Sequence, residues 1–217
     1  SYALVVGASG FVGSHIAREL IAAGCAVTGF GPPMSIDLVG DLAGRLNAVH
    51  GSAENPAEID AALAAAKPEA VVWAAGHNAN AAGLMATGEA EAARALTINA
   101  VGLFNVLDAA RRHGVKRVVF ASSNHAIGFH PTQETLQTDC ALRPDGYYGL
   151  SKAYGELMAR FYFDRYGIES ACLRIGSCFP QPMDHRMLIT WLSYRDLAEL
   201  VRCCLVAPQL GHTVVFG

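Results

Sequence analysis

Short apolar runs along the chain alternate with longer segments whose apolar residues recur every three or four positions. Ala3-Leu4-Val5-Val6 has no polar residue and reads as a strand buried on both faces. A helical pattern follows a glycine turn and runs to Ala23, where Gly24 supplies the stop. Ala26 to Phe30 predicts a second strand and Leu46 to Val49 a short third. Asn55-Pro56 opens a helix of alanines and leucines, with Pro56 suited to the first turn. Ala70 to Ala75 predicts a fourth strand, and the small, polar stretch Gly76 to Gly88 a loop. One long helix is expected from Glu89 to His113, ended by Gly114, and a fifth strand over Val118 to Ala121. The next helix carries Tyr148 and extends to Tyr166, with Gly167 as its stop. Cys172 to Ile175 is a sixth strand, Met187 to Leu192 and Asp196 to Val206 are helices, and Thr213 to Phe216 is a last strand. Strands alternating with helices, joined by right-handed crossovers, predict an α/β fold with a doubly wound parallel sheet.

Composition narrows this picture. With 217 residues, 52% of them hydrophobic and 16% charged, the chain is expected to form one globular domain over residues 1–217. A formal charge of -3 leaves no basic footprint for nucleic acid or an anionic membrane surface. No apolar run is long enough to span a bilayer, and Ser1 leads into a strand without a secretory leader, so the expected location is cytoplasmic. The six cysteines form no C-x-x-C pair and read as free thiols. Nor do the eight histidines show a metal-ligand spacing, so no metal is expected.

Two patterns carry chemistry. Gly7-Ala8-Ser9-Gly10-Phe11-Val12-Gly13 lies between a strand and a helix, the context of a dinucleotide fingerprint in a Rossmann fold. Gly7 permits the tight turn. Gly10 lets the backbone approach a pyrophosphate facing the helix N-terminus, and Gly13 allows helix and strand to pack closely. The spacing is G-x-x-G-x-x-G, and a glycine turn without a nucleotide is the competing reading. At the end of the second strand stand Gly31-Pro32-Pro33, with neither the acid that binds an adenosine ribose nor an arginine; Asp37 lies nearby in an irregular stretch. Preference for NAD over NADP is therefore weakly encoded.

The second pattern is Tyr148-Gly149-Leu150-Ser151-Lys152. Four-residue spacing puts Tyr148 and Lys152 on one helix face, where an ammonium favours the phenolate. A phenol titrating near pH ~10 needs a shift of roughly three units to act as a base near neutrality, about 4 kcal/mol, more than one exposed lysine supplies. A cationic cofactor could supply the rest. Alone, the pair also suits an ordinary surface Tyr and Lys. Ser122-Ser123-Asn124-His125 leaves the fifth strand at its carboxyl end, where ligands bind in open parallel sheets, although Ser and Asn also serve local turns.

The glycine turn, a serine after the fifth strand and Y-x-x-x-K, in that order, resemble the extended short-chain dehydrogenase/reductase family over nearly the whole chain. Phe120-Ala-Ser-Ser-Asn-His-Ala-Ile-Gly128, Arg143-Pro-Asp-Gly146, Arg174-Ile-Gly-Ser-Cys178, Arg186-Met187-Leu188 and Thr190-Trp191 look like the uronate dehydrogenases within it. That resemblance implies NAD-dependent oxidation of galacturonate or glucuronate at C1 to an aldarolactone, by a Rossmann domain with a small C-terminal substrate-binding part. It implies Ser123, Tyr148 and Lys152 as the catalytic residues, with Asn78, Asn124, His125 and Ser177 on the sugar and Arg186 on the C6 carboxylate. It also implies substrate-binding segments at about 76–95 and 176–195, which hold Asn78, Ser177 and Arg186. Against the cofactor it implies Gly7, Gly10, Phe11, Val12, Gly13, Ser52, Ala53, Ala74, Ala75, Gly76, Asn99, Tyr148, Lys152 and Ile175. A homodimer or higher homo-oligomer is the assembly it implies. The sequence departs from the family in lacking an acid near Gly31 and an aspartate at Ser52, and family members continue beyond the equivalent of Gly217.

Taken as isolated residues, Arg186 also suits a surface salt bridge, His125 a structural loop and Ser177 a backbone cap. Two other functions share the cofactor machinery. A sugar-nucleotide epimerase or reductase needs a larger lobe than the chain after Lys152 provides, and a non-catalytic dinucleotide sensor has no need of Ser123, Tyr148 and Lys152 together.

Overall fold

The computed structural model describes residues 2–33, 40–42, 44–76 and 89–217. Its strands are β1 (Tyr2–Val6), β2 (Ala26–Gly31), β3 (Asn47–His50), β4 (Ala70–Trp73), β5 (Arg117–Ser123), β6 (Glu169–Ile175) and β7 (His212–Phe216). They form one sheet in the order β3-β2-β1-β4-β5-β6-β7, with every pairing parallel. The order reverses between β1 and β4, and in open parallel sheets ligands bind beyond the carboxyl ends of the strands at such a point.

Alternation along the strands fills both faces. Leu4, Val6, Val71, Trp73, Val118 and Phe120 point to one side. There they meet helices α2 (Pro56–Ala66), α4 (Leu103–Arg112) and α5 (Tyr147–Tyr166) through Leu63, Leu107 and Tyr162. Ala3, Val5, Val72 and Val119 point to the other side, against Ile16 and Leu20 of α1 (Phe11–Ala22) and Leu197 and Val201 of a C-terminal helix, Tyr194–Val206. Both faces are apolar because both are covered, which is why the strands read as continuous hydrophobic runs.

Three differences from the sequence expectations bear on the site. The expected single helix from Glu89 to His113 is instead α3 (Glu89–Leu96), a π-helical segment over Thr97–Gly102, and α4. Buried Ala92, Ala95, Asn99, Gly102, Val106 and Ala110 keep three- and four-residue spacing through the π segment, so the pattern does not betray it; such turns gather at functional sites. β5 runs two residues past the expected Ala121, because β6 extends the ladder as far as Ser123↔Ile175. β4, by contrast, stops at Trp73: Ala74 N donates to Val6 O at 2.9 Å, and the chain then meets the Gly7 turn.

Candidate active site

At the β1–α1 turn, Gly7 has φ 88°, in the left-handed region that favours glycine. A Cβ there would lie 2.5 Å from Ala75 N, and Gly7 N donates to Phe30 O at 2.7 Å, so the ends of β1, β2 and β4 converge on it. A Cβ on Gly13 would overlap the Gly7 carbonyl, so this glycine lets α1 begin directly against the strand end. Gly10 caps α1 without a side-chain hydrogen bond, which leaves first-turn amides for an anion. Phe11 is exposed and Val12 half-buried; Ala74 and Ala75 are half-buried beside the turn, and Gly76 is exposed. Backbone packed this closely, with no side-chain cap at the helix start among the described residues, fits a dinucleotide pyrophosphate.

The adenosine side departs from the usual form for a local reason. A Cβ on Gly31 would lie 2.9 Å from Ser9 Oγ, so the Ser9 hydroxyl already stands where a longer side chain would begin. Ser52 is exposed; its amide donates to Glu58 Oε2 at 2.7 Å and its hydroxyl accepts from Glu54 N. Ala53 O accepts from Asn105 Nδ2 at 2.9 Å, tying that loop to α4. Asp37 and Asn78 lie outside the described residues.

At the reacting side, β5 carries Ser123 and α5 carries Tyr148 and Lys152. Lys152 is 3% exposed, and its ammonium donates to Ala121 O at 2.8 Å. It sits 5.5 Å from the centre of the Tyr148 ring and 5.3 Å from that of Phe120. Burial lowers its pKa to about 8. Burial also raises the pKa of Tyr148, while a hydrogen bond with Ser123 pulls the other way. The sequence led us to expect that the ammonium favours the phenolate without supplying the whole shift; in this structure burial outweighs the Ser123 hydrogen bond and the Tyr148 phenol stays above its ordinary value. The Ser123 hydroxyl donates to Asn124 Oδ1 at 3.3 Å and accepts from His125 N at 3.2 Å.

The π segment brings in Asn99, 1% exposed, whose Nδ2 donates to Ser151 Oγ at 2.9 Å; Ser151 in turn donates to Tyr148 O at 2.7 Å. A Cβ on Gly76 would lie 3.3 Å from Asn99 Oδ1 and 3.4 Å from Lys152 Nζ, so all three residues share one spot. At the end of the neighbouring strand, Ile175 closes β6 opposite Ser123, and Ser177 Oγ lies 3.1 Å from Thr190 Oγ1. A bridge between Ser177 and Trp191 ties this strand end to the short helix α6 (Met187–Thr190). Arg186, just before α6, is exposed. The structure thus gathers Ser123, Asn124, His125, Tyr148, Lys152 and Asn99 at the carboxyl end of the sheet, and leaves Arg186 on a solvent-facing turn. Among the described residues no group of His, Cys, Asp and Glu is arranged to hold a metal ion.

Sequence reasoning missed two supports. His125 Nδ1 lies 2.8 and 3.0 Å from the two oxygens of Asp145, a residue noted only within the Arg143–Gly146 string. Behind the site, the buried Glu156 accepts from Ser122 Oγ at 2.6 Å and from Arg174 Nη2 at 2.8 Å and Nε at 3.0 Å, locking β5, β6 and α5 together. A signal for Glu156 was available: it stands four residues after Lys152, on the same helix face.

The chain matches the NAD dependent epimerase/dehydratase family over residues 3–211. It belongs to this family. Among curated proteins it is 59% identical over 122 residues to a uronate dehydrogenase of Pseudomonas syringae pv. tomato, covering 56% of this chain and 44% of that protein. It is 53% identical over 119 residues to the uronate dehydrogenase of Agrobacterium fabrum, covering 55% and 45%. The matched stretch thus spans a little under half of each relative. Among solved structures, a mutated uronate dehydrogenase superposes with a TM-score of 0.87 at 37% identity, covering all of this chain and 74% of that one. The crystal structure of uronate dehydrogenase from Agrobacterium tumefaciens gives 0.84 at 35%, covering 100% and 76%; a mutant of that enzyme has been solved complexed with NAD.

Proposed function

We propose that this protein oxidises a hexuronate, galacturonate or glucuronate, at C1 to the aldarolactone with NAD as oxidant. The observation that carries this reading is the convergence of Ser123, Tyr148 and Lys152 at the carboxyl end of β5, in a chain similar to uronate dehydrogenases. Ser123 Oγ holds the C1 hydroxyl, and Tyr148 Oη accepts its proton. Lys152 is mostly charged at neutral pH, with a pKa of about 8, and favours the phenolate that Tyr148 must become. Gly7, Gly10, Gly13 and the α1 amides hold the dinucleotide pyrophosphate, while Lys152, Asn99 and Gly76 border the place for its nicotinamide half. Bound there, NAD supplies the acceptor for the C1 hydride. The sugar loses that hydride and the hydroxyl proton, and C1 becomes the carbonyl of a ring lactone. Asn124, His125 and Ser177 engage sugar hydroxyls, and Arg186 pairs with the C6 carboxylate.

Mixing the protein with NAD and galacturonate or glucuronate is expected to raise absorbance at 340 nm, with little response to galactose or to a UDP-sugar. Turnover of the UDP-sugar alone would favour an epimerase instead. With Ser9 Oγ beside Gly31, and no charged group there among the described residues, discrimination against NADP is expected to be modest; a strong NADP preference would contradict the reading of that strand end.

We further propose a two-fold homodimer. Tyr147, Leu150, Tyr154, Leu157 and Phe161 alternate at three- and four-residue spacing along α5 and are all exposed, Leu157 by 60% and Phe161 by 52%. Exposed Val101 and Phe104 stand at the junction of the π segment and α4, whose helix packs on α5. A seam with this period suits the same helices of a second copy. Light scattering at micromolar concentration should give twice the chain mass, and Leu157→Glu should halve it; a monomeric wild type would exclude this assembly. Six free cysteines suit the reducing cytoplasm, where we place the protein, and no described helix is long and apolar enough to cross a membrane.

A further inference from the structure

We propose that Asp145 is a positioning residue that fixes His125 as the Nδ1–H tautomer, so that His125 Nε2 is presented to the sugar as a hydrogen-bond acceptor. The proposal rests on the uronate reading for the identity of the sugar, but its geometric half stands without it. Both Asp145 oxygens lie within 3.0 Å of His125 Nδ1, and a carboxylate only accepts, so that nitrogen must carry the proton. No described residue hydrogen-bonds Nε2. The imidazole meets the Tyr148 ring edge to face at 5.9 Å, which puts it at the wall of the reacting site.

The backbone is shaped around this carboxylate. A Cβ on Gly128 would overlap it, and a Cβ on Gly149 would overlap the His125 carbonyl while lying 3.1 Å from Asp145 Oδ1. The loop returns under the same residues: Arg143 N donates to Ala126 O at 3.0 Å, Phe129 N to Arg143 O at 2.9 Å and Asp145 N to His125 O at 3.3 Å. Asp145 also precedes Gly146, which starts α5 without a side-chain cap, so a purely structural role at the helix start is the rival account. The two accounts differ in what they demand of His125. An acceptor at Nε2 recognises a hydroxyl that donates, and a protonated Nε2 would leave that hydroxyl without its partner.

Nitrogen-15 NMR of histidine-labelled protein at pH 8, without cofactor or sugar, tests the geometric half. The expected spectrum of wild type has His125 protonated at Nδ1 and bare at Nε2, and Asp145→Asn shifts the population toward Nε2–H. A wild-type spectrum with the proton on Nε2, or one that Asp145→Asn leaves unchanged, overturns the proposal. Kinetics test the functional half. Asp145→Asn should raise KM for the uronate about tenfold or more with kcat changed only a few-fold, and should add less than twofold to the KM of His125→Ala. Multiplicative effects would show that Asp145 acts on the fold and not through His125. If wild type turned over no uronate, the functional reading would fall while the tautomer result stood.

Discussion

The two ends of the site are built differently. At the reacting end, Ser123, Asn99 and Lys152 are buried, on β5, the π segment and α5, and the Glu156–Arg174–Ser122 network ties β5 and α5 together from behind. At the far end, Ser177 and Arg186 belong to a short segment joined to the sheet through one bridge, and Arg186 is exposed. Proton transfer needs atoms held to a fraction of an ångström, which a packed core supplies; choosing a sugar by its carboxylate needs charge and reach, which a surface arginine supplies. Chemistry and selectivity should therefore be separable by mutation.

The largest effect is expected at the buried end. Tyr148→Phe removes the proton acceptor but keeps the ring, and turnover should fall by roughly two to four decades with the melting temperature little changed. Near-normal turnover would remove Tyr148 from the chemistry. Next is Lys152, whose buried ammonium is destabilised in the native state relative to the unfolded chain. With a folded pKa of about 8 below the ordinary 10.5, the unfolded chain binds more protons between those values, so stability should rise as pH rises through that window. The contribution is roughly 3 kcal/mol at most, and Lys152→Met should flatten it in denaturant titrations at pH 8 and pH 10. An unchanged slope in Lys152→Met would show that Lys152 is not the group responsible. The smallest effect belongs to the exposed end. Arg186→Ala should lower catalytic efficiency with uronates by about one to two decades, since a charged hydrogen bond contributes about 1.5–3 kcal/mol. Efficiency with galactose should stay the same, and Arg186→Lys should recover only part of the loss. An unchanged preference for galacturonate over galactose would place the carboxylate elsewhere.

The same contrast governs what could be read from the sequence. Apolar runs located the strands because both sheet faces are covered, and Gly24, Gly114 and Gly167, all at positive φ, marked helix ends correctly. That Tyr148 and Lys152 share a helix face and that Ser123 stands at a strand end could be read because local spacing and strand position define both. The π segment, which carries Asn99, was invisible because the buried positions keep three- and four-residue spacing through it. Asp145 was missed as a partner of His125 because twenty residues of loop separate them, and only the return of the Gly128–Gly146 loop brings them together. The exposure of Arg186 was equally hidden, since burial on a short segment depends on what packs over it.

The most direct test of the central claim follows the reacting carbon. Galacturonate labelled with carbon-13 at C1 is incubated with the protein and NAD, and the carbon signal and NADH absorbance are recorded together. The account predicts that the hemiacetal signal is replaced by that of a lactone carbonyl, with one NADH formed for each sugar consumed and neither change in Tyr148→Phe. A C1 that stays a hemiacetal while the sugar is epimerised, or lactone formation that survives in Tyr148→Phe, would contradict it.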